Sequence, residues 1–118
     1  MDEKRSWQRV AVNKPGGLVV EGGLNPIPCT VEDISAGGMR ISLGKYLFPE
    51  VFSNISVSFA DNFSLDLGAN VAWQESVEGR NTYGLRFNRI DESSRDRLSQ
   101  YVGSSLSEEG KRNWWKGP

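Results

Sequence analysis

Two short stretches hold the side chains best suited to chemistry. The first is Lys4-Arg5-Ser6-Trp7-Gln8-Arg9, where three cations cluster ahead of the first apolar alternation. Two guanidiniums four residues apart can close on phosphates from different sides, and each can donate a bidentate fork to phosphate oxygens or to a guanine edge. A solvated basic arm, the ordinary fate of surface charge, would have the same composition. The second is Asp33-Ile34-Ser35-Ala36-Gly37-Gly38. Asp33 and Ser35 are two apart on an extended segment, so their side chains face one way and Ile34 faces the other. A carboxylate beside a hydroxyl can accept from the donor edge of guanine and meet a phosphate or ribose group, and glycines allow close approach of ligand and backbone. An ordinary turn draws on the same residue types for local reasons.

The elements that must position these groups have a dominant period of two, the mark of half-buried strands. Val10 and Val12 begin it, Lys14-Pro15-Gly16-Gly17 reads as a turn, and Leu18 to Val20 as a short return strand. Gly22-Gly23 and Asn25-Pro26-Ile27-Pro28 break the chain before a strand over about Cys29 to Ile34. Met39, Ile41 and Leu43 then alternate against Arg40 and Ser42, and Ile55, Val57 and Phe59 repeat the pattern. Phe63, Leu65 and Leu67 make another strand, and after Gly68 the run containing Val71 and Trp73 reaches toward Ser76. Glu78-Gly79-Arg80-Asn81 is a turn before Tyr83, Leu85 and Phe87. The period then lengthens: Asp91 is placed as an N-cap, and Leu98, Tyr101 and Val102 form an apolar stripe of a helix ending at Gly103.

With no crossover helices between strands, the expected fold is all-β with a C-terminal helix: a six- to seven-stranded antiparallel small β-barrel closed by an α-helix. Residues 1–9 read as a flexible N-terminal arm, 10–103 as barrel and closing helix, and 104–118 as a C-terminal extension, either a second helix or a loose tail. Trp114 and Trp115, flanked by Lys111, Arg112 and Lys116, are suited to contact a partner, a membrane surface or a second subunit, or simply to pack on the barrel.

Composition removes several function classes. The chain has 118 residues, 14 basic and 15 acidic, with a formal charge of −1, so no global field holds duplex DNA and any nucleotide site must be local. One cysteine, Cys29, and no histidine leave no disulfide, no hydrolytic triad and no usual zinc ligand set; no catalytic residue, metal or cofactor is expected. No apolar run approaches a membrane span and the start lacks a signal-like core, so a cytoplasmic protein is expected.

Taken together, Arg5-x-x-x-Arg9 followed by Asp33-x-Ser35-x-x-Gly38 resembles the paired signature of the PilZ family, and the likeness extends through Val71-x-Trp73 and Tyr83-Gly84-Leu85-Arg86-Phe87 to about Val102. The resemblance implies a barrel of the PilZ type that binds cyclic di-GMP, without catalysis, and passes the signal to an unidentified effector protein, as a monomer or homodimer. It also implies roles. Arg5 and Arg9 would clamp phosphates and engage guanine, Asp33 and Ser35 would receive the guanine, and Gly38 would shape the turn. Lys4, preceding the arginines, stands where the family tunes the number of nucleotides bound. Trp73 is either a stacking platform or a core residue. Two other readings stand beside this one: a PilZ adaptor that binds no ligand, and a small-barrel binder of single-stranded nucleic acid using exposed tryptophans.

Overall fold

A computed structural model describes the backbone of residues 9–59 and 63–116, and side chains as far as Ser104. Six strands run β1 (Val10–Val20), β2 (Ile27–Ile34), β3 (Gly38–Leu43), β4 (Ile55–Phe59), β5 (Phe63–Val77) and β6 (Arg80–Ile90), followed by helix α1 (Glu92–Lys116). A short 3₁₀ turn, Pro49–Ser53, precedes β4. Every pairing is antiparallel, and the order β1-β2-β3-β6-β5-β4 closes on itself, leaving the inward residues in one shared core.

The alternation of apolar side chains sets which face is buried. Val10, Ile34, Met39 and Leu85 are cross-strand neighbours and all lie in the core, as do Leu18, Val57 and Leu65 further along. Tyr83 is also fully buried, and its phenol is satisfied there: it accepts from the Leu47 N–H at 2.7 Å and donates to the Leu47 carbonyl at 3.2 Å. Desolvating that hydroxyl is tolerable only because both bonds form.

The segment Lys14-Pro15-Gly16-Gly17, expected as a turn, lies inside a continuous β1. Its irregularity is a bulge between Ala11 and Lys14, with Asn13 at φ 49°. The glycines serve strand contact instead, since a Cβ on Gly16 would sit 2.5 Å from the Ser58 carbonyl oxygen of β4. Likewise Gly68 does not divide β5, which bends through a bulge there and continues to Val77. Six strands therefore suffice. The hairpin after β5 turns on Glu78 and Gly79, at φ 51° and 79°, matching the twist of the strands it joins.

Asp91 stands at the N-cap of α1: its carboxylate accepts from the Ser93 hydroxyl at 3.1 Å. Although desolvation acts the other way, hydrogen bonds from Ser93 and Ser94 hold this carboxyl below its ordinary range. The helix is fixed to β5 by polar contacts, Ser94 Oγ accepting from the Asp66 N–H at 3.0 Å and Arg97 donating to the Ser64 carbonyl at 2.9 Å. Rings of Phe59, Phe63 and Tyr101, with centroids 5.0 to 5.6 Å apart, close the barrel beneath it. The helix does not stop at Gly103; it runs on to Lys116 as one element. A single glycine in a helix interior costs only about 1 kcal/mol, too little to end it alone.

Candidate functional site

The site lies on the outer wall of the barrel, across five strands. An outward row runs from Ala11 on β1 through Asp33, Arg40 and Gly84 to Trp73 on β5, each directly opposite the next. Beside it, the core row Val10, Ile34, Met39, Leu85, Val71 points inward. Strict alternation would have turned two of the outward residues inward. Val31 is buried, and two residues later Asp33 should share its face; Val71 and Trp73 stand in the same relation. In each case a bulge intervenes. β2 uses an extra residue, Glu32, between Val31 and Asp33, and β5 uses Ala72 between Val71 and Trp73. An inserted residue reverses the facing of all that follow, so Asp33 and the indole of Trp73 both come to the outside.

Asp33 is nearly buried, its side chain 11% exposed, under two guanidiniums. Arg9 Nη1 donates to Oδ1 at 2.8 Å, and Arg40 Nη2 lies 3.0 Å from Oδ2. Arg40 Nε is also 3.1 Å from Glu32 Oε1, close enough for an ion pair though not aligned as a hydrogen bond. Ser35 closes the β2–β3 turn: its N–H donates to the Gly38 carbonyl at 2.8 Å, and its hydroxyl accepts from the Gly37 N–H at 3.2 Å while donating to the Gly38 carbonyl at 3.3 Å. One hydroxyl lone pair stays available. Gly38 is required by close packing, because any Cβ would collide with the Leu85 carbonyl oxygen on β6.

Trp73 is 42% exposed and its indole packs against Gly84, whose missing side chain makes room for the ring. A cleft of about 540 Å³ opens beside it, lined by Arg9, Ser35, Gly38, Trp73 and, from β6, Arg86 among others. The cleft thus combines an aromatic face, guanidiniums, a hydroxyl and turn backbone, the set that binds an anionic, flat-ringed ligand. The lone thiol takes no part: Cys29 is buried on β2, and burial pushes it up to about 11. Among the described residues no group of three or more His, Cys, Asp or Glu is placed to hold a metal ion, and no helix is long and apolar enough to cross a membrane.

Of the residues singled out by sequence, Arg9, Ser35, Gly38 and Trp73 line one cleft, and Asp33 adjoins it through Arg9. Lys4 and Arg5, with Trp7, lie outside the described residues. Sequence reasoning missed Gly84 as the seat of the indole, Arg40 as the second partner of Asp33, and Arg86 as a lining cation. Their signal was present in the alternation, which turns Arg40, Gly84 and Arg86 away from the core on β3 and β6.

Fold and cleft together define a closed six-stranded barrel with an open cleft on its outer wall beside the β2–β3 turn. The sequence matches the PilZ domain over residues 3–104, and the chain belongs to the PilZ domain family, a family of cyclic di-GMP receptors that are typically non-catalytic. Solved structures agree on the fold. The chain is similar to YcgR from Escherichia coli, in complex with c-di-GMP, at 17% identity and TM-score 0.69, covering 98% of this chain and 51% of that one. It is similar to the separate YcgR PilZ domain with c-di-GMP, also from Escherichia coli, at 15% identity and TM-score 0.63, covering 93% and 97%. It also resembles K. pneumonia MrkH in its apo state, at 13% identity and TM-score 0.64, covering 92% and 53%. The chain spans about half the length of the YcgR and MrkH chains. No sequence match was found among curated proteins.

Proposed function

We propose that this chain is a cyclic di-GMP receptor without catalytic activity, whose N-terminal arm, residues 1–9, orders on the barrel when nucleotide binds and so alters the surface offered to an effector protein. The observation that supports it most is the convergence of Arg9, Ser35, Gly38 and Trp73 on one cleft with Asp33 at its margin. In this reading Arg5 and Arg9 clamp phosphate oxygens, Lys4 adds charge beside them, and the guanine edge donates to Asp33 and Ser35. Gly38 keeps the turn backbone close to the ligand, and Trp73 stacks on a base. Residues 10–103 form the binding unit, and 104–118 extend from it.

The ion pair already present supports arm ordering. Arg9 is tied to Asp33, but its own side chain is 60% exposed and Asp33 has a second cation in Arg40, so Arg9 can exchange this partner for a phosphate. Ordering the arm is offset by the new charge-assisted bonds, and the difference between ordered and unordered surface is the signal.

Isothermal titration calorimetry with cyclic di-GMP, against GTP and cyclic di-AMP, tests this reading and counts nucleotides per chain. Saturable, selective heat is expected. Arg9→Ala and Asp33→Ala should each weaken binding at least about tenfold, from charge-assisted bonds worth roughly 1.5–3 kcal/mol, while Ser6→Ala changes little. No heat at high protein concentration would instead mark an adaptor that binds no ligand.

A further inference from the structure

We propose that Arg40 is a positioning residue for the ligand: it holds one oxygen of Asp33 permanently, so that the other can pass from Arg9 to the bound nucleotide. The proposal rests on the cyclic di-GMP reading above. It begins from the division of the carboxylate, with Oδ1 taking Arg9 at 2.8 Å and Oδ2 facing Arg40 at 3.0 Å.

The two cations are anchored differently. Arg9 precedes β1 and its side chain is 60% exposed. Arg40 sits in the middle of β3, directly opposite Asp33 on one side and Gly84 on the other. A second carboxylate, Glu32, forms an ion pair with it, Oε1 lying 3.1 Å from Nε, and both acids reach it because the bulge at Glu32 places them on the same outer side. Arg40, 42% exposed, is thus held from mid-strand by two carboxylates, whereas Arg9, ahead of β1 and 60% exposed, is held by one.

When Arg9 turns to a phosphate, a carboxylate with only 11% of its side chain exposed would stand without a counter-charge if nothing else faced it. Arg40 prevents that. It also sets the plane of the carboxylate, so the oxygen that Arg9 vacates is aimed outward to accept an N–H from the guanine edge. In the outward row Arg40 lies between Asp33 and Gly84, so its guanidinium stands between the acceptor and the stacking face.

Calorimetry of the full chain with cyclic di-GMP tests the role through Arg40→Met, Arg40→Lys and Arg40→Met combined with Asp33→Ala. Because the pair is partly exposed, Arg40→Met should weaken binding about five- to tenfold with unchanged stoichiometry. Arg40→Lys, which can still reach Oδ2, should recover most of the loss. In the Asp33→Ala background Arg40→Met should change affinity less than about twofold, because coupled residues are not additive. Thermal unfolding without ligand should stay close to wild type in each variant. Wild-type affinity in Arg40→Met overturns the proposal, as does failure of lysine to rescue. A full loss that persists without Asp33 also overturns it, since Arg40 would then touch the ligand itself. If the unaltered chain does not bind cyclic di-GMP, the receptor reading fails and this role with it; binding that ignores Arg40 sinks only the role.

Discussion

Gly84→Val isolates the stacking face from the rest of the site. A Cβ at position 84 would overlap Nε1, Cε2 and Cδ1 of Trp73, so the indole must leave its seat although the tryptophan itself is retained. Valine suits a strand, and the glycine's backbone has no positive φ to be strained, so the barrel should remain folded. Trp73 is 42% exposed. For a side chain of roughly 250 Å², that leaves about 100 Å² open to a base. A base covering half of this area gains about 1.3 kcal/mol at ~25 cal/mol per Å², toward the lower end of base–aromatic stacking, and that is close to tenfold in Kd. Calorimetry should therefore show about a tenfold loss for Gly84→Val, a similar loss for Trp73→Ala, and no further loss in the double variant. A Gly84→Val protein that binds like wild type while Trp73→Ala does not would refute the claim that the seat on Gly84 matters. Wild-type binding by Trp73→Ala would refute stacking altogether.

Other consequences concern stability and reactivity. Gly38→Ala forces a methyl against the Leu85 carbonyl and should lower stability by roughly 2 kcal/mol, read as a fall of several degrees in Tm by calorimetric unfolding. Tyr83→Phe leaves the Leu47 N–H and carbonyl without their buried partner and should cost about 1–3 kcal/mol in urea unfolding. Cys29, with its thiol pushed from 9.0 up to about 11, should resist iodoacetamide in the native chain at pH 8 and react once urea unfolds it. In the unfolded chain that thiol ionises at lower pH than in the folded one, so its contribution to stability is intact below pH 9.0 and declines as pH rises toward about 11; urea midpoints at pH 8 and 10 measure the sign.

Much of this protein was legible in the order of its residues. The period-two alternation identifies the inward residues of β3, β4 and β6, because a strand's pleat allows no other facing while it stays regular. The change of period after Ile90, with Asp91 at its head, marks the start of α1 for a local reason: the cap satisfies backbone N–H groups of the first turn. The Asp33-x-Ser35-x-x-Gly38 spacing was informative too, since it describes a tight turn whose hydrogen bonds lie within six residues.

Tertiary structure decided the rest. Lys14-Pro15-Gly16-Gly17 has turn composition, yet pairing with β2 on one side and β4 on the other holds it extended. Long-range pairing overrides local preference wherever a barrel must close. The facing of Asp33 and Trp73 depends on bulges at Glu32 and Ala72 that carry no glycine or proline to announce them. A bulge is set by the registers of two strands at once, so neither strand's own sequence determines it. The residue types of the site were thus written along the chain, while their meeting on the outer wall was fixed by how β2, β3, β6 and β5 pair.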